Sequence, residues 1–106
     1  MQTRITAHQT TATDQLRAYA EQSVSKLNRY YDGIHDVHVV LKDDPSPTAD
    51  KRAEIALHVY RQTLNASDSA PTHEAAIDGC VRQLRRQVSR YKDRLRDTRT
   101  GAIPRP

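Results

Sequence analysis

Apolar and polar positions change period several times along this chain. Residues 1–7 alternate, with Thr3, Ile5 and Ala7 opposed to Gln2, Arg4 and Thr6. A repeat of two places one set on each side of an extended backbone, so this segment predicts a short strand with one buried face. Thr11-Ala12-Thr13-Asp14 then approximates a capping box with Asp in place of Glu, and Thr11 or Thr13 is the candidate N-cap. Leu16, Tyr19, Ala20, Ser23, Val24, Leu27 and Tyr31 follow at steps of three and four. That spacing predicts a helix ending between Asn28 and Tyr31, stopped by Asp32-Gly33 with Gly33 at a left-handed C-cap. Alternation returns at Val37, Val39 and Leu41, giving a second strand. A polar loop with two prolines runs from Asp43 to Asp50.

A third strand buries Ala53, Ile55, Leu57 and Val59, and a short fourth spans Thr63–Asp68. Arg61-Gln62 stands where the hairpin turn between them is expected, without the Asn-Gly or Gly-Gly that tight hairpins favour. Ser69-Ala70-Pro71 leads to Thr72, a cap for a last helix whose apolar stripe is Ile77, Cys80, Val81, Leu84, Val88, Tyr91 and Leu95. The predicted fold is α+β, in the order β-α-β-β-β-α. The first crossover makes strands one and two parallel, the next two connections are hairpins, and both helices cover one face of a four-stranded sheet. His38, Val40, His58 and Tyr60 fall on the other, partly open face. Residues 1–97 form one domain, and 98–106, with Gly101, Pro104 and Pro106, a flexible tail.

Charge alters this picture. Met1–Val81 carries 8 Lys/Arg and 11 Asp/Glu, a net of −3, while Arg82–Pro106 carries 9 and 2, a net of +7. The basic block is threaded onto the last helix. Arg82, Arg85, Arg86, Arg90, Lys92, Arg94 and Arg96 all lie off its apolar stripe, so one helix can dock on a core and present cations to solvent. At 100° per residue, Arg82, Arg85, Arg86, Lys92 and Arg96 occupy a sector of about 120°. Lys26 and Arg29 near the end of the first helix extend that surface if the helices lie side by side. Arg82/Arg86/Arg90 is a like-charge i,i+4 ladder, which costs a few tenths of a kcal/mol per pair without a counter-charge. Thirteen of the 17 cations are Arg, whose planar fork matches phosphate and stacks on bases. Together these features point to a polyanionic partner, nucleic acid foremost.

Other chemistry is sparse. The five histidines, His8, His35, His38, His58 and His73, lack the spacing of a metal-ligand motif and are expected to be solvated surface groups, so no metal site is predicted. Gly33, Gly79 and Gly101 are isolated and form no phosphate loop. No catalytic arrangement is visible, and the chain is read as a non-enzyme without a cofactor. Cys80, the single cysteine, sits on the apolar stripe as a packed thiol, which fits a reducing cytoplasm. No apolar run approaches the roughly 20 residues that span a bilayer, and Met1–Thr6 lacks the apolar centre of a secretory signal.

Several segments resemble one known family, the short ribosome hibernation promoting factors, also called ribosome-associated inhibitors or light-repressed proteins. They are Met1–Thr6, Lys26-Leu27-Asn28-Arg29-Tyr30-Tyr31-Asp32-Gly33-Ile34, Val37–Lys42, Ala75-Ala76-Ile77-Asp78-Gly79, and Leu84–Leu95 with its Arg85-Arg86-Gln87-Val88-Ser89-Arg90-Tyr91-Lys92 centre. The resemblance covers about residues 1–96, in order and spacing. Two positions depart from it. Thr72-His73-Glu74 stands where the family often has Asp-Met-Tyr, and Arg82-Gln83 where it often has Asp-Lys. The resemblance implies a domain similar to a double-stranded-RNA-binding fold, lodged in the decoding channel of the small ribosomal subunit against its RNA. It implies steric blocking of messenger and transfer RNA in stationary phase or stress. It further implies a short monomeric form without the dimerisation domain of long members, working beside a separate ribosome modulation factor. The alternatives are a generic RNA-binding module and a protein-interaction regulator, since the family has carried a sigma-factor-modulation label.

Overall fold

The computed structural model describes residues 1–8, 10–43 and 50–99, with side chains described through Leu95. Its elements are β1 (Gln2–His8), α1 (Asp14–Tyr30), β2 (Asp36–Asp43), β3 (Lys51–Val59), β4 (Gln62–Ala70) and α2 (His73–Arg99). The predicted β-α-β-β-β-α order is the observed one. The four strands lie in the order β1-β2-β3-β4, with β1 parallel to β2 and the other pairs antiparallel.

Both helix starts follow from local hydrogen bonding. Thr13 Oγ1 accepts from the Leu16 amide at 3.1 Å, and Thr72 Oγ1 from the Ala75 amide at 3.1 Å. Each bond satisfies one of the amides that a helix N-terminus leaves without a partner. Leu16, Ala20, Val24 and Leu27 of α1 and Ile77, Cys80, Leu84 and Val88 of α2 are buried in one cluster with the inward residues of β2, β3 and β4. β1 is an edge strand, so its inward residues Thr3, Ile5 and Ala7 are only half-buried.

Four local features differ from the sequence reading. α1 does not end on a left-handed glycine. Tyr31 turns extended at φ −157°, and its amide still donates to the Leu27 carbonyl at 3.2 Å. Gly33 serves space instead, because a Cβ there would overlap the Tyr31 ring. The β3–β4 turn falls on Tyr60-Arg61, one residue early, since Val59 pairs with Gln62. Arg61 takes φ 65°, a conformation usually left to Gly or Asn. β4 continues to Ala70, through residues expected to form the lead-in to α2, and α2 continues to Arg99, two residues into the expected tail. Residues 100–106 lie outside the described residues.

Histidines are less solvated than expected. His73 is 6 % exposed and its Nε2–H donates to the Lys42 carbonyl at 3.0 Å, tying the start of α2 to β2. His38 is half-buried and bonded to Thr6 Oγ1 at 2.8 Å, and burial pulls its imidazole below the usual pKa. Among the described residues no group of three or more His, Cys, Asp or Glu is placed to hold a metal ion. Cys80 is fully buried, and burial pushes its thiol up to about 12, which fits a packing role. No described helix is long and apolar enough to cross a membrane.

Candidate nucleic-acid interface

The position of α2 decides which cations reach solvent. One flank grips the free edge of β4, where Gln83 Nε2 donates to the Ser67 carbonyl at 2.9 Å and Gln87 Nε2 to the Asn65 carbonyl at 2.7 Å. These bonds satisfy edge carbonyls that would otherwise offer a pairing site to another strand. The opposite flank meets α1. Tyr19 Oη donates to Asp78 Oδ1 at 2.6 Å, and Lys92 Nζ donates to the Tyr30 carbonyl at 2.6 Å. The low end of α1 thus meets the start of α2, and its C-terminus a point four turns further along, so the helices run parallel. The Asp78 carboxylate on its hydroxyl raises the Tyr19 pKa, and burial adds to the effect. Gly79 lets α2 lie close on β4, because a Cβ there would strike the Asp68 carboxylate.

With both flanks fixed, the remaining face of α2 points outward. Arg82, Arg85, Arg86 and Arg90 are exposed. Among the described residues, none of these four takes part in an ion pair, whereas Lys42, Lys51 and Arg52 on the sheet are each paired with a carboxylate. Arg82, Arg85, Arg86, Ser89, Lys92 and Asp93 line a cleft of about 580 Å³ with Tyr30 at its α1 side. The Arg85 guanidinium lies over the Tyr30 ring, 4.8 Å from the centroid.

The sequence-predicted cations therefore divide. Arg82, Arg85, Arg86 and Lys92 share the main cleft. Arg90 continues the exposed ladder one turn beyond Arg86. Arg29 lines a neighbouring cleft of about 400 Å³ with Tyr31 and Lys92. Lys26 is exposed on the side of α1 that also carries Tyr19 and Tyr30, and so faces toward α2. Lys92 spends part of its charge on the negative C-terminal end of α1, a helix-end interaction that periodicity alone does not reveal. Arg94 lies on the β4 flank, with Nη2 3.5 Å from Gln62 Oε1. The Arg96 side chain lies outside the described residues. Sequence reasoning missed Tyr30, because nothing in the spacing of Arg85 signals a ring on another helix.

The profile of the family described as "Sigma 54 modulation protein / S30EA ribosomal protein" matches residues 3–96. The chain belongs to this family. Among its relatives, the ribosome hibernation promoting factor of Salmonella typhimurium is 35% identical over 96 residues, covering 91% of this chain and 98% of that protein. The factor of Azotobacter vinelandii is 32% identical over 104 residues, covering 98% and 94%. A longer ribosome hibernation promotion factor, from Lactococcus lactis, is 29% identical over 92 residues, which are 87% of this chain and 50% of that protein. A solved structure of a ribosomal subunit interface protein from Coxiella burnetii superposes with a TM-score of 0.78 at 19% identity, over 88% of this chain and 99% of that one. The N-terminal domain of Protein Y from Thermus thermophilus does so with a TM-score of 0.73 at 30% identity, over 83% and 94%. The family and the β-α-β-β-β-α order agree with the resemblance read from the sequence.

Proposed function

We propose that this protein is a ribosome hibernation factor that docks the outer face of α2 on RNA of the small subunit. Residues 1–97 supply the docking domain, Lys26 and Arg29 widen its cationic face, and the protein acts as a monomer in the cytoplasm. The observation that carries the reading is the exposed Arg82/Arg86/Arg90 line. Like charges four residues apart repel, and among the described residues none of the three arginines is in an ion pair. Phosphates would supply that counter-charge, and guanidinium forks are shaped to take them. The names of the relatives supply the ribosome as the partner. Inhibition is then steric: a rigid domain in the decoding channel takes the space of messenger and transfer RNA, with no bond made or broken and no cofactor.

Sucrose-gradient fractionation of ribosomes with this protein tests the reading. The protein should migrate with small subunits and whole ribosomes, and excess messenger with initiator transfer RNA should release it. The released ribosomes should translate normally and their RNA should be uncut. Stable simultaneous occupancy by the protein and both transfer RNAs would contradict steric exclusion. Salt-insensitive capture of a transcription factor, with no ribosome association, would favour the sigma-factor role instead.

A further inference from the structure

The chain has no Phe and no Trp, and only five Tyr. With so little aromatic surface available for a core, two of the five are nevertheless placed outside. Tyr30 is 44% exposed and Tyr60 54% exposed, and Met1 is the other exposed large apolar residue among those described. Each of the two rings carries an arginine. Arg85 lies over Tyr30 at 4.8 Å from the centroid, and Arg61 over Tyr60 at 5.4 Å. The backbone that carries each ring is also tied to α2. Lys92 Nζ binds the Tyr30 carbonyl at 2.6 Å, and the adjacent Tyr91 Oη donates to the Tyr60 carbonyl at 2.7 Å. Tyr91 is in turn packed edge-on against Tyr31, with centroids 5.5 Å apart. The Tyr60 turn further keeps Arg61 at φ 65°, strain that a glycine would remove and that brings no burial in return. The helix that presents the cationic face therefore also anchors the backbone of two exposed tyrosines, each with its ring beside an arginine.

We propose that Tyr30 with Arg85 and Tyr60 with Arg61 are stacking platforms for unpaired nucleobases, so that the RNA bound by this protein includes splayed-out or single-stranded bases as well as phosphates. The inference rests on the RNA-binding reading above and deepens it. A base inside an A-form helix has both faces covered by its neighbours, and only an unpaired or terminal base offers a face to a protein ring. Stacking on an aromatic ring accepts any base, and an arginine beside the ring adds a cation–π contact and a phosphate ligand. With both backbone carbonyls pinned, the main chain beneath each ring loses little freedom on binding.

The test compares Tyr30→Leu and Tyr60→Leu with Tyr30→Phe and Tyr60→Phe, in equilibrium binding to purified small ribosomal subunits over a series of monovalent salt concentrations. Both rings are exposed, so thermal unfolding of all four variants should match the wild type. Each Leu variant should bind about tenfold more weakly, within the range of one base–aromatic stack. Its salt slope should be unchanged because no phosphate contact is removed. The Phe variants should bind like the wild type. Leu variants that bind as tightly as the wild type would overturn the stacking inference and leave the cationic face standing. A loss accompanied by a shallower slope would trace the effect to displaced arginines, and would also overturn it. If the wild type itself does not bind small subunits, the RNA-binding reading fails and takes this inference with it.

Discussion

Replacing Arg82, Arg86 and Arg90 together with Glu should abolish ribosome binding while leaving the fold intact. The three side chains are exposed, and among the described residues they form no ion pair that the change would break. Each replacement shifts the charge by −2, so the three move the net charge from +4 to −2. The helix face would then repel phosphates. Losing three phosphate contacts and gaining three repulsive ones should reduce affinity by roughly a thousandfold or more at low salt. Circular dichroism and a thermal melt should resemble the wild type, since glutamate is as good a helix former as arginine. Gradient co-migration reads the binding. A variant that still co-migrates at wild-type concentrations would remove the ladder from the interface, and one that unfolds would mean the outer face of α2 carries structure.

Leu84→Ala should do the opposite kind of damage. Leu84 is 0% exposed and belongs to the cluster that joins α2 to the sheet. It is only two residues from Arg82 and two from Arg86, yet lies on the opposite side of the helix. Truncation leaves a cavity that a packed interior fills only in part, at a cost of about 2–5 kcal/mol. For a domain of this size that is a large share of the total stability, and it should lower the unfolding temperature by roughly 10 °C or more. Denaturant unfolding gives the free energy directly. Below its melting temperature the variant should still bind ribosomes, because the cations are retained. A loss of less than about 1 kcal/mol would show that Leu84 is not the core residue its burial indicates.

These two variants separate what the sequence makes legible from what it hides. Periodicity locates most inward residues of the strands and helices, Ala70 and Ala76 excepted, because a repeat of two or of 3.6 is imposed by the backbone whatever the tertiary contacts are. Caps are legible for the same local reason, as at Thr13 and Thr72. The outward arginines of α2 follow once its buried stripe is known. What escapes is chosen by contacts distant in sequence. The turn at Tyr60-Arg61 has no glycine signal, and Tyr91, thirty-one residues away, fixes it through the Tyr60 carbonyl. Gly33 and Gly79 look like conformational punctuation but are needed as space for Tyr31 and Asp68. His73 reads as a surface residue of a helix start, yet the end of β2 buries it. Within the site, Tyr30 and Arg85 lie fifty-five positions apart, so their stacking depends on how the helices pack.

The most direct test of the cationic face is the salt dependence of binding to purified small subunits. Each phosphate neutralised releases condensed counterions, which on simple nucleic acids gives a slope of about −0.7 to −0.9 in log affinity against log salt. Arg82, Arg85, Arg86 and Arg90, joined by Lys26 and Arg29, predict a slope of several units, and removing any one arginine of the ladder should reduce it by about one. A slope near zero between low and physiological salt would contradict the proposal that these side chains hold the protein to ribosomal RNA.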